Sequence, residues 1–120
     1  MSRYYTKSHE WVDCDDATKI ASVGISNYAQ QQFGEIIHLE FPPIGRIFCD
    51  HDSACVVESV KIASDIYTPV AGKIVEINRE VEQNPVLLND AAETTWIFKI
   101  RYEQGPIGLL SFEEYGKLMY

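Results

Sequence analysis

Lys61 is the residue most open to chemical use. Between Arg46 and Lys73 it is the only lysine or arginine, while Asp50, Asp52, Glu58 and Asp65 are all acidic. Val60 and Ile62 flank it, and strand-like runs lie on both sides. That pattern predicts a tight reversal from which the lysine side chain projects into solvent. Taken alone, such a lysine reads as a solvated side chain interrupting an apolar run. A second cluster, Cys49-Asp50-His51-Asp52-Ser53-Ala54-Cys55, holds two thiols, an imidazole and two carboxylates. Those groups can ligate zinc, but structural zinc usually takes two short-spaced ligand pairs and here the second is missing. The expectation is a polar turn with two partly buried thiols and no metal. The histidines are His9, His38 and His51, with no nucleophile elbow or paired metal motif around them. No catalytic residue is expected, and His38, inside Ile36-Ile37-His38-Leu39-Glu40, reads as a strand residue.

These residues have to be positioned by a small fold. The chain has 120 residues and 46% hydrophobic residues, enough for one domain over residues 1–120 with a modest core. Ten basic residues against eighteen acidic ones leave a net charge of -8, which argues against nucleic acid and against an anionic membrane surface as partners. Cys14, Cys49 and Cys55 make an odd, sparse set, so a reducing compartment is expected rather than a secreted disulfide scaffold. The opening Met1-Ser2-Arg3-Tyr4-Tyr5 does not read as a signal peptide. Bacterial cytoplasm or a mitochondrial-type organelle matrix is the expected location.

Short runs rich in Val, Ile, Phe, Tyr and Thr predict strands at 18–25, 35–41, 46–48, 54–59, 64–68, 72–78 and 95–102. Pro42-Pro43, Pro69, Gly72, Asn78 and Gly105-Pro106 punctuate them. The segments Lys73 to Asn78 and Trp96 to Arg101 mostly alternate polar and apolar residues, as in a sheet with one wet side. Three short helices are expected. Ser26-Asn27 can cap one through Ala29 to Phe33, closed by Gly34. Asn84-Pro85 opens a helical turn with Pro at its first position, and Ser111-Phe112-Glu113-Glu114 is a capping-box pattern near the C-terminus. The sum is a mainly β fold, a small sandwich or barrel.

The phrase Glu58-Ser59-Val60-Lys61, followed by Ser64-Asp65, an aromatic, Pro69-Val70 and Gly72, resembles the attachment hairpin of glycine cleavage system H proteins. Ser8-His9-Glu10-Trp11-Val12 is similar to the family's opening motif. So are Val23 to Gln30 with Phe33-Gly34-Glu35, then Leu39 to Gly45, and Val75 to Asn78 with Asn84-Pro85 and Leu88-Asn89. Trp96 to Ile100, and Leu109-Leu110 with Glu114-Tyr115, complete the order.

The resemblance implies a lipoyl/biotinyl-type barrel-sandwich hybrid with short peripheral helices and a C-terminal helix. It implies that Lys61 bears lipoate in an amide link and that the chain is a carrier, not an enzyme. The implied partners are a pyridoxal-phosphate glycine decarboxylase, a tetrahydrofolate-dependent aminomethyltransferase, a dihydrolipoamide dehydrogenase, and a lipoate ligase or lipoyl transferase acting on a monomer. Acylation would remove the lysine's charge and leave a long arm carrying a strained disulfide, the acceptor in a facile exchange. Glu58, Ser59, Val60 and Asp65 would hold and mark the lysine for the ligase. Ser8, His9 and Glu10 would line a cleft for the loaded arm, with the Glu10 carboxylate pairing with its ammonium.

Three departures stand out: Ile62 where a small residue is usual, Gln32 where histidine or another polar residue is common, and the Cys49 to Cys55 stretch in place of a glycine- and lysine-rich one. A lipoyl domain of a 2-oxoacid dehydrogenase is disfavoured by the Ser8-His9-Glu10-Trp11 motif and by Val60-Lys61-Ile62 in place of Asp-Lys-Ala. A biotin carrier, which typically flanks its lysine with methionines, is disfavoured further. A lipoyl relay protein within the same family is the alternative that sequence leaves open.

Overall fold

The computed structural model describes residues 2–104 and 108–119. Its strands are β1 (Ser2–Tyr5), β2 (Glu10–Asp15), β3 (Ile20–Ile25), β4 (Ile36–Glu40), β5 (Ile47–Phe48), β6 (Ser53–Ser59), β7 (Ala63–Tyr67), β8 (Gly72–Ile77) and β9 (Phe98–Arg101). They form a six-stranded sheet, ordered β1-β2-β3-β9-β8-β5, and a three-stranded sheet, ordered β4-β6-β7. Every pairing is antiparallel. Val12, Val23, Ile74 and Ile100 of the large sheet share one buried cluster with Leu39, Val57 and Ile66 of the small one. The two sheets thus bury their apolar faces against each other, as alternating patterning requires.

The alternation is clean in β9, where Phe98 and Ile100 are buried and Lys99 and Arg101 are not. In β8 the buried residues are Ile74 and Ile77, three apart. The register against β9 shifts between Ile74 and Glu76, so a bulge absorbs Val75 and turns both isoleucines inward.

Helix α1 (Asn27–Phe33) forms as its caps predict, with the Ser26 hydroxyl accepting from the Ala29 N–H and Gly34 closing it at φ +73°. Helix α4 (Phe112–Met119) carries a complete capping box: the Glu114 N–H donates to the Ser111 hydroxyl at 3.1 Å, and the Ser111 N–H to the Glu114 carboxylate at 3.0 Å. Helix α3 (Leu87–Asp90) begins two residues later than expected, leaving Pro85 in the turn ahead of it.

Four elements were not anticipated: β1, β2, the helix α2 (Arg79–Gln83) and a 3-10 turn at Ala92–Thr94. The 95–102 strand is shorter than predicted. The Trp96 carbonyl accepts from the Asn78 side-chain amide at 2.7 Å, and only from Phe98 does the ladder with β3 and β8 run. The expected turn at Gly105-Pro106 lies outside the described residues. Trp11 pins β2 to the 3-10 turn: its indole N–H donates to the Ala92 carbonyl at 3.0 Å, and its ring covers Gly24, where any side chain would collide. Helix α4 docks by stacking Tyr115 on Tyr5, ring centres 4.6 Å apart.

Candidate functional site

Strands β6 and β7 form a hairpin whose ladder closes at Glu58 opposite Ala63, leaving Val60-Lys61-Ile62 as its tip. Ser59 organises that tip. Its hydroxyl accepts from the N–H groups of Lys61 at 3.2 Å and Ile62 at 3.1 Å, and donates to the Ile62 carbonyl at 3.2 Å. A backbone bond from the Ser59 N–H to the same carbonyl, at 2.8 Å, completes the reversal. A serine so placed supplies an acceptor to two N–H groups at the crowded tip and a second donor to the Ile62 carbonyl. Lys61 is exposed, as the sequence predicts, between Val60 and Ile62, which are 63% and 47% exposed. Two large apolar side chains held in water beside an amine are a surface suited to a visiting protein rather than to the core.

The hairpin does not stand free. The Val60 N–H donates to the Glu35 carbonyl at 3.1 Å, tying the tip to the segment after α1. The distal part of the Lys61 side chain lies over Gly34. Of the other hairpin residues singled out from sequence, Glu58 is half-buried between His38 of β4 and Ala63 of β7. Asp65 is exposed and accepts from the Ser53 hydroxyl at 2.6 Å, bracing the two strands below the tip.

Ser8, His9 and Glu10 divide into two groups. Glu10 is only 1% exposed, and each carboxylate oxygen is occupied. One oxygen accepts from the Thr6 hydroxyl at 2.5 Å and the Ser8 hydroxyl at 2.6 Å; the other accepts from the Tyr67 N–H at 3.2 Å. Glu10, with Ser8 hydrogen-bonded to it, is therefore brought against β7, the outer strand of the lysine hairpin. Burial raises the Glu10 pKa above the ordinary carboxylate value, and its hydrogen bonds oppose that rise only in part. His9 takes a different side. It occupies the left-handed region at φ +74°, and its Nδ1 lies 2.8 Å from the Tyr115 hydroxyl with its ring beside Tyr28. Burial lowers its pKa. Its contacts are with helices α1 and α4, not with the hairpin.

The cysteine stretch departs from expectation. Cys49 is exposed and Cys55 buried, rather than both being half-covered. Burial pushes the Cys55 thiol up to about 12. Asp52 accepts from the Cys49 N–H at 2.8 Å, so the segment is the polar turn that was predicted. Among the described residues no three His, Cys, Asp or Glu side chains converge as a metal site would need. His38 is an exposed residue of β4.

Thr6, Gly34, Tyr67 and Asn89 are part of this arrangement without having been singled out. Gly34 was legible as a helix stop and as part of a matching block, and Asn89 only as part of such a block. Tyr67 contributes a backbone N–H, which leaves no mark on side-chain pattern.

A sequence model of the family described as Glycine cleavage H-protein matches residues 3–119. The chain is 42% identical over 114 residues to a probable glycine cleavage system H protein of Picrophilus torridus, covering 95% of this chain and 90% of that protein. It is 46% identical over 100 residues to the glycine cleavage system H protein of Thermus thermophilus, covering 82% and 77%. A crystal structure of a glycine cleavage system H protein from Mycobacterium marinum superimposes with a TM-score of 0.90 at 27% identity, covering 98% of this chain and 96% of that one. With the exposed lysine hairpin in place on a mainly β fold of this kind, the chain belongs to the glycine cleavage H-protein family, a carrier subunit of the glycine cleavage system and not a catalytic enzyme.

Proposed function

We propose that Lys61 bears a lipoyl group in amide linkage to its Nζ, and that the arm so formed carries the aminomethyl group of glycine between the enzymes of the system. One observation carries the assignment: Lys61 is the only lysine or arginine between Arg46 and Lys73, and it stands exposed at the tip of a braced hairpin. The residues fit the group. Val60, Lys61 and Ile62 are all exposed, and Gly34 leaves open the space under the lysine stem that a Cβ would fill. The lipoyl group would supply, when bound, a disulfide that takes the one-carbon cargo on one sulfur, frees the other as a thiol, and becomes a dithiol once the cargo is unloaded.

The chain's own residues hold and present. Ser59 fixes the turn, and Glu58, Val60 and Asp65 offer the ligase a folded hairpin to recognise. Glu10 lies against β7 with Ser8 on its carboxylate, and an ammonium on the returning arm would reach that buried anion by displacing the Ser8 hydroxyl. A charge-assisted contact in so dry a site would exclude water from the cargo. His9 orients this segment against Tyr115.

The proposed partners are glycine decarboxylase, which loads the arm, an aminomethyltransferase, which unloads it, and dihydrolipoamide dehydrogenase, which reoxidises it. A lipoate ligase or lipoyl transferase installs the group. Residues 1–120 act as one lipoyl-bearing domain and as a monomer, in a reducing compartment where Cys14, Cys49 and Cys55 stay as thiols.

The test is the intact mass after incubation with lipoate ligase, lipoate and ATP, comparing the wild type with Lys61→Ala. The expected result is a single lipoyl adduct on the wild type and none on the variant. A folded wild type that takes no adduct overturns the reading.

A further inference from the structure

We infer that Gly34 and Asn89 are positioning residues for the lysine arm: Gly34 is the seat on which the Lys61 stem rests, and Asn89 holds that seat in place. The inference rests on the reading of Lys61 as the lipoyl site. Gly34 has φ +73° and ψ -149°, a backbone region that side-chain-bearing residues rarely enter. A Cβ there would stand 3.2 Å from Lys61 Cε and 3.7 Å from both Cδ and Nζ. The half of the lysine nearest its reactive nitrogen therefore lies on bare backbone, at a distance that any larger residue would take away.

Asn89, on α3, grips both ends of the segment that forms the seat. Its amide nitrogen donates to the Gly34 carbonyl at 2.7 Å, and its oxygen accepts from the Ile36 N–H at 2.9 Å. Between them the Glu35 carbonyl accepts from the Val60 N–H, the residue before the lysine. One side chain thus links α3, through three residues of backbone, to the hairpin tip and to the surface under the stem. The same amide nitrogen also reaches Gln30 on α1 at 3.3 Å.

This matters for the step in which the arm is made. The unprotonated ε-amine attacks the acyl carbon of a lipoyl-adenylate held by the ligase. The C–N bond forms, the acyl C–O bond to phosphate breaks, AMP leaves with the electron pair, and the surplus amine proton passes to solvent. A stem lying on a fixed surface presents Nζ from one direction, whereas a free stem spreads it over many rotamers. Seating should therefore act on kcat of the ligase and leave KM for the carrier alone, because docking reads the hairpin and not the stem.

Gly34→Ala and Gly45→Ala make a matched pair. Both glycines have positive φ, but a Cβ at Gly45 would meet nothing within 4 Å. Lipoylation kinetics on folded proteins, followed by intact mass, should show kcat for Gly34→Ala down by about tenfold, within what a misplacement of ~1 Å can cost. KM should hold within about twofold, and Gly45→Ala should match the wild type in both. Asn89→Ala should lower kcat in the same way, with Asn89→Asp, which keeps the acceptor for Ile36, falling between. Acetylation of Lys61 by a small N-hydroxysuccinimide ester should be no slower in Gly34→Ala, since the amine stays exposed.

A kcat unchanged in Gly34→Ala, an equal fall in Gly45→Ala, or a loss confined to KM overturns the inference. Should Gly34→Ala fail to fold, the wild type still decides: nuclear Overhauser contacts between the Lys61 Cε protons and the Gly34 Cα protons are expected, and their absence removes the seat. A wild type that takes no lipoyl group overturns the attachment reading itself, and this inference with it.

Discussion

Replacing Ser59 by alanine would remove one hydroxyl and three hydrogen bonds from the lysine turn. The bonds are 3.1 to 3.2 Å long, toward the weak end for their kind. Each such bond is worth about 0.5–1.5 kcal/mol net. The Lys61 and Ile62 N–H groups sit at an exposed tip and would recover water, while the 2.8 Å backbone bond from Ser59 to Ile62 survives in alanine. The loss should therefore fall near the low end, about 1–2 kcal/mol in all. For a chain of this length that lowers Tm by roughly 3–8 °C. Thermal unfolding by circular dichroism reads the total, and amide hydrogen exchange at Lys61 and Ile62 reads the turn itself. Exchange at those two amides should quicken more than elsewhere in the hairpin, because the tip then opens without global unfolding. Ser59→Thr keeps the hydroxyl and should restore both. The reasoning is refuted if alanine leaves Tm and the two exchange rates at wild-type values, or if threonine does no better than alanine.

Three further outcomes follow from the geometry. Glu10→Gln should shorten the lifetime of the loaded carrier by roughly tenfold, the worth of about one charge-assisted hydrogen bond; an unchanged hydrolysis rate would remove Glu10 from the cleft. Burial lowers the His9 pKa from 6.5, so the unfolded chain binds that proton more readily than the folded one. Its contribution to stability is complete above the unfolded value of 6.5 and is lost as pH falls from there through the lower folded value. Tm measured between about pH 7.5 and 5.5 should thus fall less steeply in His9→Gln than in the wild type, and parallel slopes would contradict the sign. A thiol reagent should modify one cysteine per native chain, Cys49, since Cys14 and Cys55 are buried with pKa values pushed up to about 11 and 12. Modification of Cys55 at the rate of Cys49 would mean that the small sheet opens readily.

What was legible in the sequence were the features written in side-chain type. Ser26 and Gly34 bound α1 because a hydroxyl and a missing Cβ satisfy the two ends of a helix. Ser111 and Glu114 marked α4 for the same reason, and Lys61 stood out by charge. What escaped was set by partners distant in the chain. Strand β2 reads Glu-Trp-Val-Asp-Cys-Asp, a run whose carboxylates look like a wet loop. It is a strand because Arg3 pairs with Asp13 at 2.6 Å, and because Trp11 and Glu10, both buried, each find a hydrogen-bond partner across the fold. The late start of β9 depends likewise on Asn78 capturing the Trp96 carbonyl. None of these partners is near in sequence, so local pattern carries no trace of them.

The Glu10 contact shows how far this reaches into the site. Strand β7 is an edge of its sheet, so N–H groups on its outer side have no ladder to join. An open edge on the lysine hairpin would invite strand pairing with another chain. The Glu10 carboxylate accepts the Tyr67 N–H on that edge, and its own burial is offset by two hydroxyls from the same turn. Moving this acid onto the open surface would free the strand edge, while leaving it buried without Thr6 and Ser8 would leave a costly charge. The requirement is met only by a hydroxyl, a hydroxyl and a carboxylate at Thr6, Ser8 and Glu10, spaced two apart through a turn in which His9 takes a positive φ. That is why the motif can be recognised from the residues while its partner, a main-chain N–H of the hairpin, becomes visible only in the fold.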